Sequence, residues 1–143
     1  MLSMTSRYAL RALGYLATHP DRQVFAHEIA AATEVPINYL SKILHTLARQ
    51  GLVKSGRGRR GGFRLALPPD RIVLRQVIAP FEDPDFPRDC LLGRPFCSDG
   101  NPCQAHASWK PISEQVSRFF ETATLAELLR REAAGTSPSA PTG

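Results

Sequence analysis

The feature that most constrains the fold is an amphipathic segment that leads into a glycine-rich basic stretch. Apolar side chains recur there at spacings of three and four residues, which predicts one buried helical face: Leu40, Ile43, Leu44 and Leu47. Pro36 is tolerated at the start of such a helix, and Gly51 is a stop signal after Gln50. Beyond it, two short alternating segments, LVKS and FRLAL, flank GRGRRGG, which predicts a β-hairpin.

Two further helices are expected before this one. The first runs from a cap at Thr5 or Ser6 to about Thr18. The second spans about 26–33 and is followed by a Glu-Val-Pro turn. Three helices followed by a basic hairpin are the order of a winged helix-turn-helix, so the predicted fold class is mainly α with a small β-wing.

The second half of the chain is expected to add a loop and a long helix. A short strand and a short helix are predicted over 72–81, followed by an acidic, proline-broken loop at 82–89. After the cysteines, apolar residues recur at helical spacing: Ile112, Val116, Phe119, Phe120 and Ala123. Because proline interrupts a helix, Pro111 is expected to start or bend it.

A last helix is expected to open at Thr124, since Glu127 three residues later completes a capping box. The tail from Gly135 is rich in Ser, Pro and Thr and is expected to be disordered. At 143 residues the chain is one domain in size with an appendage. The expected organisation begins with a DNA-binding winged helix-turn-helix (1–80) and a cysteine-containing, cluster-binding loop (81–103). A dimerisation helix with the C-terminal helix (104–134) and a tail (135–143) follow.

The net positive charge belongs to the first half of the chain. Residues 1–80 hold twelve Lys and Arg against four Asp and Glu, a net of +8, whereas residues 81–143 hold six against nine, a net of −3. These sum to the net charge of +5. Lys and Arg that neutralise phosphates release counterions, so this polarity favours a polyanion as partner of the first half. An ordinary solvated surface is the alternative.

The third helix also carries a polar stripe opposite its buried one, and this stripe suits the major groove of a DNA operator. Single-stranded RNA readers usually carry aromatic stacking residues, which are missing here, so duplex DNA is favoured over RNA. Arginines at a hairpin tip suit a minor groove or its phosphates. The predicted DNA-binding residues are Asn38, Tyr39, Ser41, Lys42 and His45 on the helix, and Lys54, Arg57, Arg59 and Arg60 on the wing.

The long helix has an apolar stripe that needs a covering surface. A second copy of the chain is the favoured cover, because twofold pairing matches palindromic half-sites and because small DNA readers generally need two modules for adequate affinity. The alternative is that the helix packs back on its own domain. The sequence therefore predicts a homodimer.

Cys90, Cys97, Cys103 and His106 are separated by six, five and two residues, and glycine and proline lie in the gaps. An odd number of cysteines cannot all pair in disulfides, and clustered thiols in a reducing compartment more often bind metal. Thiolates hold iron–sulfur clusters and zinc, and an imidazole can replace a thiolate on one iron. An iron–sulfur cluster, a zinc ion and unligated thiols all remain open on the ligand types alone.

Several classes of protein are disfavoured by what the sequence does not contain. It has no apolar run near eighteen residues and no leader-like start, so no membrane partner and a cytoplasmic location are expected. It also has no phosphate loop, nucleophile elbow or evident pair of catalytic carboxylates, so an enzyme is not expected.

Four stretches resemble the Rrf2 family of bacterial transcription regulators: TSRYALRALGYLA, NYLSKILHTLARQGLVKSGRGRRGGFRLA, CQAHASWKPI and TLAELL. The resemblance covers nearly the whole chain up to about Glu132. It implies a homodimeric winged helix-turn-helix repressor. In such a protein an iron–sulfur cluster, held in the loop before the dimerisation helix, tunes operator binding.

The resemblance also implies ligands. In the family's iron–sulfur branch with three cysteines and a histidine, the matching residues hold a 2Fe-2S cluster; here they are Cys90, Cys97, Cys103 and His106, with 4Fe-4S as the alternative. The nitric-oxide-sensing branch has a cluster-ligating aspartate where this chain has Arg7, which cannot be a ligand. The first cysteine gap is one residue longer than in the three-cysteine branch, and Ser41 replaces its glutamate.

These expectations define one predicted function and its alternatives. The chain is predicted to be a regulator that senses cluster status, redox stress or nitric oxide. The alternatives are a constitutive or zinc-stabilised DNA-binding regulator, and a small iron–sulfur carrier protein.

Overall fold

The computed structural model of the chain describes residues 2–56 and 61–133. Within this part the helices are α1 (Met4–Ala17), α2 (Ala26–Thr33), α3 (Ile37–Arg49), α4 (Leu74–Ile78), α5 (His106–Thr122) and α6 (Leu125–Ala133). Strands β1 (Val53–Ser55) and β2 (Phe63–Leu65) lie between α3 and α4, and single 3-10 turns occupy Pro69–Arg71 and Ala79–Phe81. The predicted fold class, mainly helical with a small antiparallel sheet, is confirmed. No helix in the described ranges is long and apolar enough to cross a membrane.

The first helix begins earlier than the sequence predicts. Its cap is Ser3 and not Thr5 or Ser6, because Ser3 Oγ accepts a hydrogen bond from the Ser6 backbone N–H at 3.1 Å. Ser6 itself is fully buried inside the helix. Ser3, Thr5 and Ser6 all have hydroxyl groups that could cap a helix, and a contact with a residue distant in the sequence favours Ser3. Glu82 Oε1 accepts from the Ser3 N–H at 2.7 Å.

The α2–α3 turn orients the helix that carries the predicted reading face. Glu34 ends α2 with φ of 60°, a left-handed conformation that is uncommon for a residue with a side chain. Val35 is buried directly after it, and Pro36 precedes the first residue of α3. The burial of Val35 holds this reversal in place and sets the angle between the two helices.

A single core joins the three N-terminal helices to chain segments that follow the wing. It includes fully buried leucines of α1 and α3 together with Ile72 and Leu125. The Leu125 N–H donates to the Ile72 carbonyl at 2.9 Å, and the Leu74 N–H donates to the Ala123 carbonyl at 2.9 Å. Burying one leucine stabilises the fold by roughly 1.5–3 kcal/mol. The start of α6 therefore completes the core of the winged helix.

The predicted hairpin is present, and its strands pair as Val53 with Leu65, Lys54 with Arg64 and Ser55 with Phe63. Phe63 also exchanges two backbone hydrogen bonds of 2.8 Å with Val24. At Gly62, where φ is 156°, a Cβ atom would lie 3.1 Å from the Val24 carbonyl oxygen, so this close approach favours glycine. The tip of the hairpin at 57–60 and the tail from Gly135 lie outside the described residues.

Helix α5 does not begin at Pro111, one of the two predicted roles of this proline, but five residues earlier at His106. The Trp109 N–H donates to the Ala105 carbonyl at 2.8 Å in the first turn. Pro111 removes one later backbone donor. The inner face of α5 is nevertheless packed against the rest of the chain, because Ser113 and Phe120 are nearly inaccessible to solvent.

The apolar stripe of α5 is divided between two environments. Phe120 and Ala123 pack in a second cluster with α4, and the rings of Phe86 and Phe120 meet edge to face at 5.8 Å between centroids. By contrast, Ile112 is 52% exposed and Phe119 is 48% exposed. The helix therefore packs on its own chain with one face and leaves a second apolar face uncovered.

Candidate metal centre and nucleic-acid interface

The three cysteines converge just before α5. The Cys90, Cys97 and Cys103 sulfurs all lie within 4.8 Å of one another, and the Cys90 and Cys103 sulfurs are 3.7 Å apart. Cys103 is buried, whereas the other two are half-buried. The loop that carries them has little regular structure apart from a single bridge between Ser98 and Asn101. Tertiary contacts, and not a helix or sheet, bring the sulfurs together.

His106 lies beside the three cysteines, and its two ring nitrogens have different neighbours. Its Nδ1 atom lies 3.4 Å from the Cys97 sulfur, while its Nε2 atom lies 2.7 Å from Asp99 Oδ1. The other Asp99 oxygen accepts a hydrogen bond from Lys110 Nζ at 2.7 Å. The Lys110 ammonium and, next, His106 hold the pKa of Asp99 below its ordinary value.

A cavity of about 250 Å³ opens at the sulfurs and is lined by all four of these predicted ligands and by Trp109. The Trp109 indole Nε1 donates to the Asp89 carbonyl at 2.9 Å. This bond attaches the start of the cysteine loop to α5. The cavity therefore combines soft donor atoms with enough room for a small inorganic group.

The surroundings of Cys90 and Cys97 shift the pKa values of the two thiols in opposite directions. The backbone N–H of Arg94 and, less strongly, that of Leu92 lower the pKa of the Cys90 thiol to about 7, against an opposing effect of burial. At Cys97 the backbone N–H of Cys103 acts in the same direction, but burial and the neighbouring thiols outweigh it and raise the pKa. Without a bound metal, the Cys90 thiol therefore ionises at a lower pH than the Cys97 thiol.

The donor set suits two kinds of inorganic group. In a tetrahedral zinc site, Zn–S bonds of about 2.3 Å place two sulfurs roughly 3.8 Å apart. The 3.7 Å between the Cys90 and Cys103 sulfurs is close to that spacing. Three thiolates and one imidazole are also donor types found in iron–sulfur proteins, where imidazole can replace thiolate. The residues present therefore fit either group chemically.

Sequence reasoning did not identify Asp99, Lys110 or Trp109 at this centre. One usable signal was the four-residue spacing from His106 to Lys110, which places both side chains on one face of a helix. No sequence pattern indicates that Asp99, on the loop, reaches both of them. That contact exists only because the loop folds back over the first turns of α5.

The predicted reading face lies on α3 as expected from its period. Asn38, Tyr39, Lys42 and His45 are exposed, and Ser41 is half-buried, with its Oγ donating to the Ile37 carbonyl at 3.1 Å. Tyr39 is 60% exposed. These side chains are available to a partner, while the opposite face of α3 is buried.

Helix α3 and the wing are in contact and share unpaired positive charge. The rings of His45 and Phe63 meet edge to face at 6.0 Å. In ranges 2–56 and 61–133, no acidic group lies within 4.0 Å of Lys42, Lys54 or Arg64. The predicted contacts Arg57, Arg59 and Arg60 lie outside the described residues. The described cations are free to meet phosphates.

Comparisons with known proteins agree on one family. A family model described as "Rrf2: Iron-dependent Transcriptional regulator" matches residues 2–131. A protein of Aquifex aeolicus, assigned among HTH-type transcriptional regulators, is 40% identical over 134 residues, which cover 92% of this chain and 93% of that protein. The HTH-type transcriptional regulator IscR of Aliivibrio salmonicida is 32% identical over 129 residues, which cover 90% and 76%. The solved structure of T. potens IscR has the same fold, with a TM-score of 0.74 at 24% identity, over 97% of this chain and 93% of the other.

In metal-free, reduced protein we expect iodoacetamide to alkylate Cys90 with a half-maximal rate near pH 7, because its thiol has a pKa of about 7. Cys97 should reach its half-maximal rate only at more alkaline pH, because its pKa is raised. Mass spectrometry of peptides over a pH series measures both. The unfolded chain is the control, since its thiols should share one midpoint, and a shared midpoint in folded protein would contradict the prediction.

Replacing Lys54 with alanine should weaken binding to duplex DNA of arbitrary sequence and reduce the slope of log affinity against log salt by about 1. The reason is that one released counterion is lost with one phosphate contact. Fluorescence anisotropy at several salt concentrations measures the slope. Arg118→Ala, an exposed arginine of α5, is the matched control, and equal slopes for wild type and Lys54→Ala would refute the contact.

Proposed function

Because the chain belongs to the Rrf2 family of transcriptional regulators, we propose that it is a homodimeric repressor that reports iron–sulfur cluster status, redox stress or nitric oxide. The family and the relatives matched are transcriptional regulators and not enzymes, in agreement with the sequence prediction. The finer statements, on the cluster, the dimer and the operator, are supported by separate observations on this chain.

The convergence of three sulfurs within 4.8 Å at the start of α5 carries the proposal. Cys90, Cys97, Cys103 and His106 would hold the group, with 2Fe-2S favoured and 4Fe-4S as the alternative. When bound, a cluster supplies a centre that oxidant, nitric oxide or iron shortage can alter or remove. A zinc-stabilised regulator is the second candidate, and the 3.7 Å separation of two sulfurs is compatible with two thiolates on one tetrahedral zinc ion.

DNA recognition is assigned to the exposed face of α3 and to the wing. Asn38, Lys42 and His45 offer donors and acceptors to base edges in the major groove. Lys54 and the predicted arginines of the wing, which include Arg57, would contact the backbone or minor groove. Unpaired cations on the described part of this surface support that assignment.

The residues that precede the cysteines connect the centre to the DNA-binding part of the chain. Glu82 binds the N-terminus of α1 through the Ser3 N–H, and the carbonyl of Asp89 accepts from Trp109 of α5. A change of the loop at Cys90 would therefore act on both helices. In the proposed mechanism this shifts the population of dimer arrangements that fit an operator.

Protein purified without oxygen should be coloured and contain iron and acid-labile sulfide in equal amounts. Cys103→Ser should lose the colour, because it removes one of the thiolates that would hold the cluster, while Ser108→Ala on the exposed surface of α5 should keep it. Visible absorption with iron, sulfide and zinc analysis measures this. Footprinting of the protein's own upstream region should then differ between holo and apo forms.

The outcomes of this experiment separate the alternatives. Colourless protein with one zinc ion per chain would replace the sensor by a zinc-stabilised regulator. Coloured protein that does not bind duplex DNA in a salt-dependent way would favour a carrier protein. Unchanged operator binding after serine replaces all three cysteines would reject cluster control.

The uncovered face of α5 supports the homodimer. Ile112 and Phe119 lie seven residues apart on this face and are about half exposed, although both are large apolar side chains. Two copies paired about a twofold axis would cover both residues in each chain. The same symmetry would place two α3 helices on a palindromic site.

Phe119→Asp should convert the protein from about 31 kDa, twice the chain mass of 15.7 kDa, to single chains. The reason is that a carboxylate would be buried without a partner at the centre of the contact. Sedimentation equilibrium measures the mass. Arg118→Asp, an exposed neighbour on another face of α5, should remain dimeric, and a dimer that survives Phe119→Asp would place the contact elsewhere.

A further inference from the structure

Asp99 connects two residues of α5 that lie one helical turn apart. One carboxylate oxygen is 2.7 Å from His106 Nε2, and the other is 2.7 Å from Lys110 Nζ. The Asp99 side chain thereby joins the loop between Cys97 and Cys103 to the first turns of α5.

The hydrogen-bond chemistry at His106 has only one consistent assignment for the neutral ring. An ionised carboxylate is solely an acceptor, so the Nε2 atom must carry the proton that Asp99 accepts. A neutral imidazole has one N–H, and the Nδ1 atom is then left with a free lone pair. This lone pair lies on the side of the Cys97 sulfur, at 3.4 Å.

We propose that Asp99 is a positioning residue, which keeps His106 in its Nε2–H tautomer so that Nδ1 is the atom presented to a metal or cluster. Lys110 orients the carboxylate through its second oxygen. The inference rests on the proposed function in one respect, namely that His106 is a ligand of the centre. Carboxylates that accept from a ligating histidine are a known means of setting ring orientation and ligand strength.

Because Asp99 and Lys110 are exposed, an effect of their replacement on the metal centre can be distinguished from an effect on folding. The side chain of Asp99 is 69% exposed and that of Lys110 is 44% exposed. Such surface ion pairs contribute little to folding stability. Removing Asp99 should therefore leave the melting temperature of metal-free protein nearly unchanged.

The first test uses the metal-free protein and needs no cluster. In ¹⁵N-labelled protein, nitrogen shifts of the neutral His106 ring should show the Nε2–H tautomer in wild type and a mixture of tautomers in Asp99→Ala. Lys110→Met should keep the Nε2–H form, since the bond from His106 to Asp99 remains. Asp85→Ala removes an acid from the preceding loop and should match wild type.

The second test measures binding, with Zn²⁺ as the probe and a competing chelator as the reference. Asp99→Ala should bind Zn²⁺ about 10- to 100-fold more weakly than wild type, whereas Asp85→Ala should not. After iron–sulfur reconstitution, Asp99→Ala should also lose its visible absorption faster.

Three results would overturn the proposal. The first is a predominant Nδ1–H tautomer in wild type, and the second is an Asp99→Ala variant with wild-type tautomer and Zn²⁺ affinity. The third is full Zn²⁺ affinity in His106→Ala with loss in Asp99→Ala, because the carboxylate itself would then be the ligand. If tautomer and Zn²⁺ results hold but no iron–sulfur cluster forms, the proposed sensor fails and the positioning role stands.

Discussion

Backbone pairing between residues 72–74 and 123–125 is the constraint on which the rest of the structure depends. The first segment leads into α4 and the second follows α5, so the two hydrogen bonds of 2.9 Å join the start of α4 to the end of α5. The chain from the end of α4 to the start of α5 contains the cysteine loop. Leu125, buried beside Ile72, makes this junction part of the winged-helix core. The position of the thiols thus depends on the same packing as the position of α3.

Helix α5 serves three surfaces at once because its faces have different chemistry. Its first turns carry His106 and Lys110 toward the loop, its inner face packs through Phe120, and its outer face exposes Phe119. Because α5 is one continuous helix, it connects the candidate metal centre physically to the exposed apolar face. A tilt of α5 would therefore move both surfaces together, whereas a flexible connection would not.

The surface proposed to bind DNA is organised by charge separation along the chain. Acidic residues are sparse up to residue 80, and those that occur there include Glu28, which is paired with Arg22 at 2.8 Å. The cations of α3 and β1 are left without such partners in the described ranges. Repulsion among them opposes the free state slightly and is relieved when phosphates approach. This surface therefore favours a polyanion before any specific contact forms.

The sequence by itself determined the helix order, the hairpin, the exposed face of α3 and the set of soft donors before α5. These follow from periodicity, glycine and proline positions and side-chain chemistry, all of which act over a few residues. Only the tertiary structure decided that Ser3 caps α1, that α5 begins before Pro111 and that Asp99 bridges His106 and Lys110. Each of these depends on a contact across a loop or between distant segments. Local spacing carries no information about such contacts, because the energies that choose among several local options come from groups far away in the chain.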